Sequence, residues 1–292
     1  MNFDKSRDCP ICGLRANSIA FPFTVKFNQT EFNYLKCDSC SSIFVDPIPD
    51  DGTFALMYLK DSYHDCNYHD ENSIYVESVN LLIKYVDSES IVLDYGCGLG
   101  NFLEVLSSKK LIPYGVEFDN EAAKFAANKA DCKVCTVDEF MSDSFKQKFD
   151  AIHLGDVLEH LPNPIESIDT ILNRLKPGGV FFVEGPLETN PSPVYWAIVV
   201  FGFIKHLLKP GIVPNNPPHH LIRIGSKQQL TFFEEINTSI SPVYWRVYES
   251  GWPYIGGGIV KGAIAKIAIF FGGKSLFGIT FGNRFQAIFI KK

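Results

Sequence analysis

The chain has 292 residues, enough for one large domain and a small one. It is 46% hydrophobic and 21% charged, the composition of an ordinary globular protein with a sizeable core. A net charge of −6 argues against nucleic acid as a partner, because a nucleic-acid binder needs a basic surface to replace counterions around phosphates.

The N-terminus, MNFDKSRDCPICG, has no apolar run after a basic start and does not read as a secretory signal. Eight cysteines then point to a reducing compartment, the cytoplasm, where paired cysteines hold metal more often than disulfides. Cys9-x2-Cys12 and Cys37-x2-Cys40 form two knuckles 24 residues apart. Four thiolates in that arrangement predict a closed, structural zinc ribbon over 1–48, which stabilises folding and leaves no open position for catalysis. Residues 49–72 read as a linker with helical pieces that cover the next domain, and include Tyr58, Tyr63, His64, Tyr68 and His69.

From Ser73 strands and helices alternate. Helices are predicted at Ile74–Val86, Phe102–Leu106, Glu121–Ala130 and Ile165–Leu175. Strands are predicted at Ile91–Leu93, Ile112–Glu117, Lys133–Val137, Phe149–Leu154 and Val180–Glu184, the last entered by a sharp turn at Pro177-Gly178-Gly179. Such alternation means a parallel sheet covered on both faces. Cys132-x2-Cys135 falls in the third of these strands and reads as core.

The tail differs. Pro191–Leu208 is an apolar helical insertion, part of a lid expected over about 190–224. A helix opened by Ser226 follows, then strands at Ile240–Glu249 and Arg284–Ile290. Tyr254–Phe281 is apolar but interrupted by Lys261, Lys266 and Lys274. Neither apolar stretch reads as a bilayer span; contact with a membrane surface or a lipid-like substrate suits them better.

The strongest local signal is Asp94-Tyr95-Gly96-Cys97-Gly98-Leu99-Gly100. A strand ends in an acid, glycine recurs at every second position, and a helix begins, so a ligand can approach the backbone closely. A dinucleotide fingerprint needs glycine or alanine at position six, where Asn101 stands. The loop therefore suits an aminoacyl nucleoside better than NAD. Glu117 ends the second strand 21 residues after Gly96, placed to accept ribose hydroxyls, and Phe118 is placed to lie against an adenine face. Asp119 and Asn120 serve equally well as the helix cap, which leaves Glu117 free for the ligand. Asp138 after the third strand either takes an adenine amino group or caps the short helix that follows.

These motifs in this order, with Phe149-Asp150-Ala151-Ile152 and Leu175-Lys176-Pro177-Gly178-Gly179, resemble class I S-adenosylmethionine-dependent methyltransferases over roughly residues 73–185. The resemblance implies a doubly wound α/β fold with a seven-stranded, mostly parallel sheet, occupying 73–292. Arg284–Ile290 would be its antiparallel seventh strand. It implies that Asp94, Gly96, Cys97, Gly98, Glu117, Phe118, Asp138 and Gly155 surround the cofactor, with Asp94 orienting the loop and Cys97 a small apolar filler.

Gly155-Asp156-Val157-Leu158-Glu159-His160 resembles a segment common in small-molecule members, with His160 a candidate base. In quinone O-methyltransferases a similar acid-rich segment is linked to a divalent metal, and Asp156, Glu159 and His160 are the matching positions. Pro217-Pro218-His219-His220-Leu221 resembles a segment that lies over the acceptor, with His220 in the matching place. Some sugar methyltransferases carry a similar zinc module. The expected activity is methyl transfer to a small molecule: a sugar, a lipid-linked intermediate or a secondary metabolite. A non-catalytic S-adenosylmethionine-binding scaffold docking through the zinc ribbon is the alternative, and RNA methylation a weaker one. Oxygen, nitrogen and carbon acceptors stay open at this point.

Overall fold

The computed structural model describes residues 7–59, 73–141, 148–236, 240–276 and 278–292. Tyr63, His64, Tyr68 and His69 of the expected linker lie outside them.

The N-terminal module is an antiparallel sheet of β1 (Ala16–Phe27), β2 (Thr30–Cys37) and β3 (Ile43–Asp46), followed by helix α1 (Asp51–Met57). Asp50 starts α1 by accepting from the Thr53 backbone N–H at 2.7 Å. Next come α2 (Ser73–Leu82), β4 (Ile91–Tyr95), α3 (Asn101–Ser108), β5 (Ile112–Glu117) and α4 (Asn120–Ala130). They are followed by β6 (Lys133–Thr136), α5 (Val137–Phe140), β7 (Phe149–Gly155), α6 (Pro164–Arg174) and β8 (Leu175–Pro186). The tail adds α7 (Pro193–Leu208), β9 (Ile222–Arg223), α8 (Ser226–Ile236), β10 (Ile240–Tyr248), α9 (Gly258–Phe271), the small hairpin β11 (Ser275–Leu276) and β12 (Ile279–Thr280), and β13 (Arg284–Lys291).

The central sheet has the order β10-β13-β8-β7-β4-β5-β6. β4 to β8 are parallel, and β13 lies antiparallel between β8 and β10. The expected doubly wound, seven-stranded fold is present. Successive residues point to opposite faces and feed two cores. Leu93, Ile152, Phe181 and Phe285 pack on one side; Val92, Ala151, Phe182 and Ile288 pack on the other with Phe102 and Leu106 of α3. Cys135 belongs to the first core, and Cys132 lies just before β6 against the second, so this CxxC does not converge on one point.

Three features depart from expectation or add to it. Pro177-Gly178-Gly179 does not precede the fifth strand but lies inside it. β8 begins where α6 ends, pairs Leu175 with Phe149, and loops out extra residues before Val180 pairs with Ala151. Gly178 takes φ +75° in that bulge. The insertion after Pro191 also joins the N-terminal sheet, because β9 pairs with β3 and extends that sheet to four strands. The Lys26 N–H also donates to the Pro214 carbonyl at 2.8 Å, so the module and the insertion are fastened together. Finally, α9 forms where the lysines obscured a helical pattern. Lys261 and Lys266 lie on its exposed side, while Ala265 and Ala268 pack beside Val194 of α7.

Candidate functional site

The chain winds outward from β4 to β5 and β6 on one side, and to β7 and β8 on the other. The switch point lies between β4 and β7, at their carboxyl ends, where sheets of this kind hold ligands. Asp94, Glu117 and Gly155 stand at the carboxyl ends of β4, β5 and β7, and Gly96, Cys97 and Gly98 follow β4 directly.

Gly96, Gly98 and Gly100 all have positive φ, at +81°, +52° and +79°. A Cβ on Gly96 would fall 2.5 Å from Val157 Cγ2, and one on Gly100 would fall 3.0 Å from the Ala126 backbone. The loop is therefore pressed between α4 and the segment after β7, and only glycine fits. Cys97 is buried beneath it; burial raises its thiol pKa well above the usual range, and it packs as an apolar filler.

Glu117 ends β5, 5% exposed. It is not the cap of the following helix, but backbone donors hold it. One oxygen accepts from the Gly98 N–H at 2.8 Å, and the other from Phe118 N–H at 2.7 Å and Asp119 N–H at 3.2 Å. A carboxylate offers about four acceptor positions, so these donors hold it in one place at the lip of the glycine loop. Asp119 is the α4 cap, accepting from Ala122 N–H at 2.8 Å. Phe118 is exposed, and its ring meets the edge of Phe54 from α1 at 5.1 Å. Asp138 lies exposed in the first turn of α5, whose cap is Thr136 in a reciprocal capping box with Glu139.

Beneath the loop is a buried polar network that the sequence reading missed. Asp94 on β4 is in register with His153 on β7, and His153 Nδ1 lies 2.7 Å from Asp94 Oδ1. The other ring nitrogen lies 3.3 Å from Glu184 Oε1. Glu184 also accepts from Ser78 Oγ and Gln286 Nε2, each at 2.8 Å. Phe102 stacks on the imidazole at 3.9 Å. A Cβ on Gly155 would fall 2.7 Å from the ring, so glycine makes room for it. Burial works against the charged ring, but the hydrogen bonds and charges of Asp94 and Glu184 outweigh it and push the pKa up to about 9. Burial likewise opposes ionisation of Glu184, yet His153, Gln286 and Ser78 hold it below the usual carboxylate value. Three polar residues near the ends of apolar strands were the available signal.

A second cluster stands after β7 and β8. His160 Nδ1 lies 2.7 Å from the His219 carbonyl and 2.9 Å from Tyr58 Oη. A carbonyl only accepts, which places the proton on Nδ1. Burial, then the charge of His220, pushes His160 down to about 3, so the ring is neutral. Burial pushes the Glu159 carboxyl up. His220 Nδ1 lies 2.9 Å from Glu188 Oε2, and Arg223 Nε lies 3.6 Å from Glu188 Oε1. Burial opposes both charges, but Arg223 and His220 hold Glu188 down to about 2, and Glu188 and Glu159 raise His220 above its ordinary value. Glu188 and Arg223 carried no sequence motif.

The expected grouping of Asp156, Glu159 and His160 does not form. Asp156 is gripped by Arg284 Nη2, 2.8 Å from each carboxylate oxygen. Ligand atoms of Glu159, His160 and His220 lie within 4.8 Å of one another instead. Beside this cluster is a cavity of about 450 Å³. Glu188, His220 and Arg223 form its polar wall; Phe21 and Ile43 of the N-terminal sheet, Ile198 of α7 and Trp252 form its apolar wall. That size and mixture suit a small organic ligand.

The four N-terminal sulfurs also converge. Cys9 Sγ lies 3.7 Å from Cys40 Sγ, Cys12 Sγ lies 3.5 Å from Cys37 Sγ, and all four lie within 4.8 Å of one another. A tetrahedron of thiolates around zinc at ~2.3 Å has edges of ~3.8 Å, so the donor set fits that ion.

Sheet order, glycine loop and antiparallel last strand define the Rossmann-like methyltransferase fold. The comparisons agree. A family model described as a methyltransferase domain matches residues 68–217, just over half of the chain. The chain belongs to this family, that of the class I S-adenosylmethionine-dependent methyltransferases. It is similar to a ubiquinone biosynthesis O-methyltransferase of Histophilus somni (strain 2336), 33% identical over 132 residues, 42% of this chain and 54% of the relative. It is also similar to one of Nitrosomonas europaea, 30% identical over 145 residues, 45% of this chain and 60% of the relative. The chain thus spans little more than half the length of these relatives. Among solved structures, one described as the complex between the Haloferax volcanii Trm112 methyltransferase activator and the putative methyltransferase contains a chain with TM-score 0.55 at 14% identity. The match covers 80% of this chain and 95% of that one, and it supports the fold alone.

Proposed function

We propose that this chain transfers a methyl group from S-adenosylmethionine to a hydroxyl of a small organic acceptor held in the 450 Å³ cavity. The observation that carries this reading is the placing of His220, braced by Glu188 at 2.9 Å, on the wall of that cavity. Glu188 follows the carboxyl end of β8, as the glycine loop follows that of β4. Relatives named as O-methyltransferases support an oxygen acceptor.

Gly96, Gly98 and Cys97 would hold the methionine and ribose portion through the backbone, with Asp94 beneath them. Glu117 would clasp the ribose, and Phe118 would cover the adenine beside Asp138. The cofactor, when bound, supplies an electrophilic sulfonium methyl. The protein's part is then to exclude water, align the acceptor oxygen and remove its proton. Glu188 on Nδ1 leaves Nε2 of His220 for that proton, in the manner of a base and its orienting carboxylate. His160, held by Tyr58 and the His219 carbonyl, positions the segment that carries His220. One zinc ion on Cys9, Cys12, Cys37 and Cys40 would brace the module that lines one side of the cavity.

His220→Ala should lower turnover on a hydroxylated acceptor by about 10²–10⁴-fold while calorimetry shows unchanged cofactor affinity. An equal loss of both would remove His220 from the acceptor side. Glu117→Ala should abolish measurable cofactor binding.

A further inference from the structure

The proposed chemistry leaves one large feature unused, the pair α7 and α9. The two helices are in contact, with Val194, Ile198, Ala265 and Ala268 among the packed residues. α7 also presses on β1, where a Cβ on Gly202 would run into the Phe21 ring. Their outer faces stay uncovered. Phe201 is 54% exposed, Ile204 45% and Leu208 76% on α7; Ile259 is 94% exposed, Val260 69% and Phe270 66% on α9. Apolar residues scattered singly over a surface need no explanation, but a patch shared by two touching helices marks an interaction surface.

Charge says what covers it. No Asp or Glu occurs from Pro191 to Phe233 or from Ser250 to Lys292, in a chain that carries 33 acidic residues. The charged residues on the two helices and their flanks are Lys205, Lys209, Lys261, Lys266 and Lys274, all exposed. Two copies placed face to face would bring these lysines together. An anionic lipid surface would receive them, with the apolar faces entering the acyl boundary. Trp196 and Trp252, 49% and 70% exposed, supply the aromatic edge common at such interfaces. The helices have 16 and 14 residues, roughly 24 and 21 Å at 1.5 Å per residue, against a hydrocarbon core of about 30 Å. Among the described residues, no helix is long and apolar enough to cross a membrane.

We infer that α7 and α9 form a plate that seats the chain on an anionic lipid leaflet without crossing it. Ile198 of α7 and Trp252 also form part of the cavity wall, so the plate and the cavity share residues. The inference rests on exposed residues and charge, and is independent of the acceptor's identity.

The test is co-sedimentation with vesicles, without cofactor, so that its outcome is separate from that of the methyl-transfer reading. The chain should bind equimolar phosphatidylcholine–phosphatidylglycerol vesicles, with a blue shift of tryptophan emission. Binding to pure phosphatidylcholine should be weaker by on the order of a thousandfold, from five lysines at about fivefold each. Lys205→Gln with Lys209→Gln and Lys261→Gln should weaken anionic binding by on the order of a hundredfold, about fivefold per lysine. Phe201→Asp with Ile259→Asp should abolish it, with an unchanged thermal melt showing that the fold is intact. Absence of binding to the anionic vesicles overturns the inference, as does equal binding to both compositions. A concentration-dependent dimer that shifts tryptophan emission without lipid also overturns it, in favour of a second copy of the chain.

Discussion

Replacing His153 by Gln probes the buried charge beneath the glycine loop. In the native protein the ring sits between Asp94 at 2.7 Å and Glu184 at 3.3 Å, fully enclosed, with its pKa raised from 6.5 to about 9. A group whose folded pKa lies above its unfolded value contributes its full stability below the unfolded pKa. That contribution disappears as pH rises through the folded pKa. The gap between the two values, at about 1.4 kcal/mol per pH unit, amounts to about 3 kcal/mol. Removing one partner of a buried ion pair costs about 3–5 kcal/mol, a figure of the same size reached by a different route. Gln keeps two hydrogen-bonding ends but no charge. Urea denaturation should therefore show the wild type ahead of His153→Gln by about 3 kcal/mol more at about pH 6 than at about pH 9.5. Titrating groups that do not touch His153, including Glu159 and His220, are common to both proteins and drop out of the difference. A difference that stays constant over this range would show that the ring carries no extra proton in the folded state. One that grows with pH would reverse the sign. Either result refutes the reasoning.

Gly96→Ala should cost at least about 2 kcal/mol and weaken cofactor binding, because φ +81° and the 2.5 Å approach to Val157 both forbid a Cβ; thermal melting with calorimetry checks it. A base acts only when deprotonated, so turnover should rise with pH through the pKa of His220, above the ordinary histidine value. Glu188→Gln removes the carboxylate chiefly responsible, and the acid limb of the kcat profile should move to lower pH; a limb that does not move excludes His220 as the titrating base. Metal analysis should find about one zinc per chain, and a chelator should lower the melting temperature. Cys37→Ser should mimic the chelator, whereas Cys135→Ser should leave the zinc content unchanged.

What the sequence determined by itself is what short-range spacing encodes. The alternation of apolar strands with helices specified the layered sheet, because periods of two and 3.6 residues are read locally. The glycines from Gly96 to Gly100, the acid at Glu117 and the paired cysteines were legible for the same reason, since each is a contiguous or fixed-interval pattern. The helix α9 was not, because its lysines interrupt the apolar run and only packing against α7 shows which face they occupy. Tertiary structure alone decided the pairings. His153 meets Asp94 across 59 residues and Glu184 across 31, and Arg284 reaches Asp156 across 128. It is that last contact which breaks the expected trio of Asp156, Glu159 and His160. Strand order and register choose such partners, and those follow from how whole elements pack, which no local run of residues contains. The same holds for β9: two residues whose place beside β3 ties the N-terminal module to the core, and so puts Phe21 and Ile43 on the cavity wall.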